Sequence, residues 1–267
     1  MNIALIQFDI VWEDKQANHR IIEGMVDDAD IAPGTFVLLP ELSDTGFSLD
    51  VKKIADEMST AWAADLARSR GIWLQTGYAV RGPGGKGRNC ATLFAPSGET
   101  IGTYEKVHPF SYGRELDHYG SGDHLTLRRL EEIPGRPTVC PLICYDLRFA
   151  ELWRLGVLAG AEVFTIGANW PDPRQQHWRT LLIARAIENL AYVVAVNRTG
   201  SDPHLRYVGG SMIISPRGEV LAEAGEEPAV LRAVVDLEAL RKWRDEFGAL
   251  ADIHRDLLGS IRIDGQV

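Results

Sequence analysis

The chain reads as a mixed α/β protein on three observations. Short runs rich in Val, Ile, Leu and Phe recur along its length and are too short for helices. Longer segments with one apolar face alternate with several of them. Two four-residue turns, Pro96-Ser97-Gly98-Glu99 and Pro216-Arg217-Gly218-Glu219, separate neighbouring apolar runs. Pro early and Gly late in such a turn suit a chain reversal, and strands joined that tightly are antiparallel. The sheets are therefore predicted to be mixed.

In order, strands are expected at Ile3–Phe8, Thr35–Leu39, Trp73–Ala79, Ala91–Ala95, Thr138–Ile143, Glu162–Gly167, Tyr192–Val196, Ser211–Ile214 and Val230–Val235. Helices are expected over Asp14–Ala29, where Ile21, Ile22, Met25 and Val26 share a face, and over Lys52–Arg70, Phe149–Leu158 and Arg174–Leu190. Gly82–Gly87 reads as a hairpin tip. No linker or repeat interrupts residues 1–267, so one domain is expected, with a weakly periodic tail from about residue 248 that is free to pack on a partner subunit.

Composition narrows the function. Of 267 residues, 45% are hydrophobic and 24% charged, ordinary for a soluble globular protein. No apolar run is long enough to span a bilayer, and the start, Met1 to Gln7, reads as a strand rather than a signal peptide. A net charge of -9 argues against a nucleic-acid binder, which needs clustered Lys and Arg. Three cysteines, Cys90, Cys140 and Cys144, with no secretory signal argue against a disulfide framework and for a reducing cytoplasm. The seven histidines lack the paired helical spacing of a zinc site, and no CxxC is present, so no metal or cofactor is expected.

Chemistry gathers at strand ends. The run Thr138–Ile143 stops at Cys144, and helix-forming residues follow, which puts a thiol at a strand-to-helix turn where N–H groups and the dipole favour the thiolate. Glu41 follows the run Thr35–Leu39 and Pro40, and Lys106 follows the second strand of the first hairpin. Each has a plain structural reading: a buried inert thiol, a solvated strand cap, a snorkelling lysine. Together they supply a nucleophile, a general base and an oxyanion partner. Cys90 and Cys140 lie inside apolar runs and read as small core residues.

Pro40-Glu41-Leu42, Tyr104-Glu105-Lys106-Val107-His108 and Ile143-Cys144-Tyr145-Asp146-Leu147-Arg148-Phe149 resemble, in order and spacing, the three signature segments of the nitrilase superfamily of carbon–nitrogen hydrolases. The stretch from Cys144 to Phe149, Ala168-Asn169-Trp170-Pro171 and Ala184-Arg185-Ala186-Ile187-Glu188-Asn189 are similar to the omega-amidase branch. The resemblance implies a four-layer α-β-β-α sandwich, usually dimeric or larger. It also implies hydrolysis of the side-chain amide of 2-oxoglutaramate or 2-oxosuccinamate by water, through a cysteine thioester. Carried over by position, Cys144 is the nucleophile, Glu41 the base, Lys106 the oxyanion-stabilising lysine and Glu115 the second glutamate. The sequence departs at Val107-His108-Pro109-Phe110, where a leucine more commonly takes the place of the proline.

Arg148 has two readings: a grip on a substrate carboxylate, or a pair with Asp146 or Glu151. Tyr145 offers its backbone N–H to an oxyanion. Asn169, Trp170, Phe47 and Tyr112 are further pocket candidates, although Trp170 also reads as core. Arg185 and Glu188, three apart, read as a structural pair. Another carbon–nitrogen substrate, or a non-catalytic or redox-sensing protein on the same fold, stays compatible with these residues.

Overall fold

The computed structural model describes residues 1–266. The chain runs through β1 (Asn2–Gln7), α1 (Lys15–Asp28), β2 (Phe36–Leu38), α2 (Val51–Ile54), α3 (Met58–Arg70), β3 (Trp73–Arg81), β4 (Gly87–Phe94) and β5 (Thr100–Glu105). It continues through α4 (Glu115–His118), β6 (His124–Arg129), β7 (Thr138–Ile143), α5 (Ala150–Leu158), β8 (Val163–Ala168), α6 (Gln175–Asn189) and β9 (Tyr192–Asn197). It ends with β10 (Thr199–Ser201), β11 (Arg206–Val208), β12 (Met212–Ile214), β13 (Val220–Glu223), β14 (Ala229–Val234), α7 (Leu237–Glu246) and β15 (Arg262–Gln266).

A six-stranded sheet has the order β14-β1-β2-β3-β4-β5, and a seven-stranded sheet the order β13-β12-β9-β8-β7-β6-β15. Both are mixed. β1, β2 and β3 pair parallel, as do β7, β8 and β9, whereas β3–β4, β4–β5 and β12–β13 are antiparallel. Both predicted hairpin turns, and the tip at Gly82–Gly87, fall at these antiparallel reversals.

Strand alternation creates the layers. On β1, Ile3 and Leu5 face the same way as Phe36 and Leu38 of β2, and meet Val139, Val163 and Val194 from the other sheet. The intervening Ala4, Ile6 and Val37 pack under Ile22 of α1 and Leu66 of α3. On the far side, Leu142, Phe164 and Val193 pack under Trp153 of α5 and Leu182 of α6. The result is helix, sheet, sheet, helix, the four-layer α-β-β-α sandwich that the family resemblance implies. Each buried Leu or Ile stabilises this stack by roughly 1.5–3 kcal/mol.

The predicted helix Lys52–Arg70 is two helices. Ala55 turns extended (ψ 102°), and the Asp56 carboxylate accepts the Met58 N–H (2.9 Å), a local bond that competes with helix continuation. The first helix is capped by Asp14, whose side chain accepts from Ala17 N–H. Among elements not anticipated, β10 and β11 are three-residue strands, α7 starts at Leu237 after Asp236, whose side chain accepts the Ala239 N–H, and β15 lies parallel beside β6. The tail thus returns to this chain's own sheet.

Candidate active site

Strand ends of the two sheets converge on one cavity of about 380 Å³. Lys106 directly follows β5, Cys144 directly follows β7, and Asn169 and Trp170 directly follow β8. Glu41 follows β2 after Leu39 and Pro40. Glu41, Lys106, Cys144 and Asn169 all line the cavity. The sheets can approach this closely because two facing residues lack side chains. A Cβ at Gly77 of β3 would lie 2.7 Å from Leu42 N, and one at Gly167 of β8 would lie 2.8 Å from Leu39 O.

Lys106 is fully buried between two carboxylates. Its Nζ donates to Glu41 Oε1 (2.7 Å) and to Glu115 Oε2 (2.9 Å). Asn89 Nδ2 bridges the same two acids, at 2.8 Å to Glu41 Oε1 and 2.9 Å to Glu115 Oε1. Asn169 N–H donates to Glu41 Oε2 (3.0 Å), and the Phe110 N–H donates to Glu115. Burial alone would push the Glu41 carboxyl up, but the Lys106 charge and these donors hold it below its ordinary value. Burial dominates at Glu115 and raises its carboxyl despite Lys106. Burial works against the Lys106 charge, yet Glu115 and Glu41 together hold its ammonium well above the ordinary lysine value.

The thiol expectation is corrected here. Cys144 opens a 3-10 turn, Cys144–Arg148, at a helix N-terminus as predicted. Burial, and next the Glu41 negative charge, nevertheless push its thiol well above the ordinary value, and Lys106 offsets this only in part. Burial and the Glu41 charge thus work against the thiolate that the helix N-terminus favours. Cys144 also has φ +43°, a left-handed conformation that costs a non-glycine residue about 1–3 kcal/mol and needs fixed surroundings to persist. α6 helps to supply them: Arg185 donates twice to Leu147 O (3.1 and 3.0 Å) and pairs with Glu188 at 2.8 Å.

The other candidates divide. Phe47, Tyr145, Arg148 and Trp170 line the cavity. Trp170 is at once wall and core, its ring 5.6 Å from that of Trp178. Asn169 chiefly serves Glu41, because its Nδ2 donates to Glu41 O (2.6 Å). Arg148 pairs with neither Asp146 nor Glu151; among the described residues it has no ion-pair partner, and its guanidinium lies 4.7 Å over Trp170. Partial burial pushes the pKa of its guanidinium below the ordinary arginine value, and arginine is a cation throughout the physiological range. Tyr112 does not line the cavity. It is 85% exposed, on a turn whose preceding residue, Phe110, contributes the wall instead.

Sequence reasoning missed Asn89, Arg174, Trp12 and Tyr207. Asn89 left a signal, a lone amide in an apolar strand. Arg174 lines the cavity beside Arg148, but it looks like any helix-start arginine in the sequence. Trp12, from a loop, and Tyr207, from the short strand β11, reach the cavity from distant parts of the chain and left no local trace.

Among the described residues no group of three or more His, Cys, Asp or Glu side chains could hold a metal ion. No helix there is long and apolar enough to cross a membrane.

Comparison with known proteins gives a consistent family. The carbon-nitrogen hydrolase family model matches residues 2–245. A 2-oxoglutaramate amidase of Bacillus subtilis is 34% identical over 96% of this chain and 98% of its own. The omega-amidase YafV of Escherichia coli K12 is also 34% identical, over 94% of this chain and 96% of its own. The solved structure of XC1258 from Xanthomonas campestris, a CN-hydrolase superfamily protein, superposes with a TM-score of 0.89 at 31% identity, covering 97% of this chain and 99% of that one. With a family model spanning most of its length and relatives matched nearly end to end, the chain belongs to the carbon-nitrogen hydrolase family.

Proposed function

We propose that the protein hydrolyses the carboxamide of a small 2-oxo acid amide of the 2-oxoglutaramate or 2-oxosuccinamate type, giving a carboxylate and ammonia through a Cys144 thioester. The observation that carries this reading is the sharing of one cavity by a thiol, a carboxylate, a buried ammonium and two guanidiniums. The names of the matched amidases point to the same substrate class.

Glu41, held as a carboxylate, takes the Cys144 proton as the sulfur attacks the amide carbon. The oxyanion is received by Lys106 Nζ and by the Tyr145 N–H, which is free at the first turn of a helix. Because Lys106 stays protonated, it stabilises that charge without a proton transfer. Glu41 then protonates the departing ammonia, and afterwards it removes a proton from the water that cleaves the thioester. Glu115 fixes Lys106. Arg148 and Arg174 hold the substrate carboxylate at the other end, where bidentate geometry favours arginine. The same reading places a single-domain enzyme in the cytoplasm as a homodimer or larger, which size-exclusion chromatography tests.

The decisive experiment follows ammonia release from 2-oxoglutaramate and its succinamic analogue. The parent should turn both over, whereas Cys144→Ala, folded and thermally near parental, should retain less than about one part in 10⁴ of the activity. Parental ammonia release from Cys144→Ala rules out the mechanism. A parent that is active only on nitriles or carbamoyl compounds rules out the substrate class.

A further inference from the structure

The buried Asp146 carboxylate is used by none of the steps above, yet it gathers four donors. Tyr104 OH (2.8 Å) and Ile143 N–H (3.1 Å) donate to Oδ2. His108 N–H donates to Oδ1 (3.1 Å), and His108 Nδ1 faces the same atom at 3.0 Å. Since a carboxylate only accepts, the His108 proton belongs on Nδ1. Tyr104 OH accepts in turn from Val107 N–H (3.2 Å), and the His108 ring stacks on Phe149 at 3.6 Å.

The positions of these donors along the chain matter more than their number. Lys106 lies between Tyr104 and His108, and both neighbours grip Asp146. Cys144 lies between Ile143, which donates to that carboxylate, and Asp146 itself. One side chain therefore ties together the end of β5 and the end of β7, the two strands that deliver the ammonium and the thiol. Trp153 Nε1 and Phe149 N–H also hold the Asp146 carbonyl, at 3.2 and 3.1 Å, which fixes the carboxylate from behind.

The geometry points to Asp146 as a positioning residue that sets the Cys144 sulfur against Glu41 and Lys106 by locking the two strand ends to one another. This rests on the cysteine–glutamate–lysine reading above and adds to it the part that maintains the alignment. Asp146 touches no reacting atom. Its effect belongs in the chemical step rather than in substrate binding, because Arg148 and Arg174 lie outside its hydrogen-bond set.

Two variants test it, Asp146→Asn and Tyr104→Phe. Asn presents an NH₂ to two of the donors, so one strand end must come loose. Tyr104→Phe removes one hydroxyl and leaves the charge in place. Two quantities are measured per folded molecule: kcat and KM for the 2-oxo acid amide, and the rate of Cys144 alkylation by iodoacetamide, with Cys144→Ala as the blank. The expected result for Asp146→Asn is a kcat at least about tenfold lower with KM within about threefold. Tyr104→Phe should lower kcat several-fold, and both variants should slow alkylation. A role confined to stability predicts a lower Tm with parental kcat and alkylation, and that result overturns the inference. If Asp146→Asn does not fold, Tyr104→Phe decides alone, and parental values for it overturn the inference equally. If the parent cleaves no 2-oxo acid amide, the substrate reading fails while the alkylation rates still decide the role of Asp146.

Discussion

Glu41 and Asp44 sit three residues apart on one loop, both out of water, with opposite acidities. Burial is the largest influence on each and pushes each carboxyl up. At Glu41 it is overcome by an ammonium at 2.7 Å, an asparagine amide and a backbone N–H. At Asp44 the nearest ammonium, Lys15, is 3.6 Å away, Ser59 supplies one hydrogen bond, and Oδ1 accepts none from another residue among the described residues. Its carboxyl stays raised. Charge in this interior is therefore decided by the number and closeness of donors, not by depth. The protein invests donors where it needs an anion and leaves the neighbouring acid to its desolvation.

The contrast can be broken at Glu41 first. Glu41→Gln keeps the shape and removes the base, so kcat should fall about 10³-fold. Ammonia release by a variant with a parental circular dichroism spectrum checks this.

Lys106→Met removes the main reason why Glu41 differs from Asp44. Loss of the oxyanion donor should cost about 3–4 kcal/mol of barrier. From the sequence alone, Lys106 could be truncated without affecting the fold. Between two buried carboxylates it cannot, and stability should drop by about 3–5 kcal/mol, read by denaturant unfolding. The sharper readout is the pH profile of residual activity. Freed of the ammonium, Glu41 should behave like Asp44, and the acid limb should move to higher pH.

On the Asp44 side, His19 Nε2 lies 4.0 Å from Asp44 and its ring stacks on Trp62 at 3.9 Å. Burial, and next the Lys15 charge, lower its pKa from 6.5 to about 4. The folded state binds the proton less well than the unfolded chain. The stability from neutral His19 is thus complete above pH 6.5 and is lost as pH falls toward about 4. His19→Phe keeps the stacked ring and should flatten Tm against pH across that window. An equally steep loss of Tm in the variant refutes this assignment.

The smallest effect is expected from Asp44→Asn. A raised carboxyl costs stability as pH climbs from the unfolded value toward the folded one, so the amide should be neutral or slightly stabilising at pH 7, by less than about 1 kcal/mol. kcat should stay near parental. A large loss of turnover would mean that the two acids are not the separate cases drawn here.

Much of this was legible in the sequence because it is local. Apolar runs that stop at a polar residue marked the strand ends, and Glu41, Lys106 and Cys144 are each such a stop. What was not legible depends on non-local geometry. The Cys144 thiol is pushed up first by burial and then by Glu41, roughly a hundred residues earlier in the chain, and a thiol at a helix N-terminus looks like a thiolate until those surroundings are known. Tyr112 and Phe110 are equally plausible wall residues in sequence, and only the turn decides which one faces inward. The break inside Lys52–Arg70 was masked because Ala55, Asp56 and Glu57 fit a helical pattern, whereas the Asp56 side chain accepts the Met58 N–H at the start of the next helix. Arg174, Trp12 and Tyr207 carried no pattern, since a cavity wall assembled from separate short segments has no period.

The bare α-carbons at Gly77 and Gly167 set the calibre of the sandwich mouth. They act as jaws that close on the backbone around Glu41 from both sheets, with a clearance that only hydrogen atoms fit. The rim of the cavity can be rebuilt for a different amide without disturbing them. One methyl group added to either jaw would have to shift the backbone that carries Glu41, so the site's alignment depends on two residues that carry no chemistry.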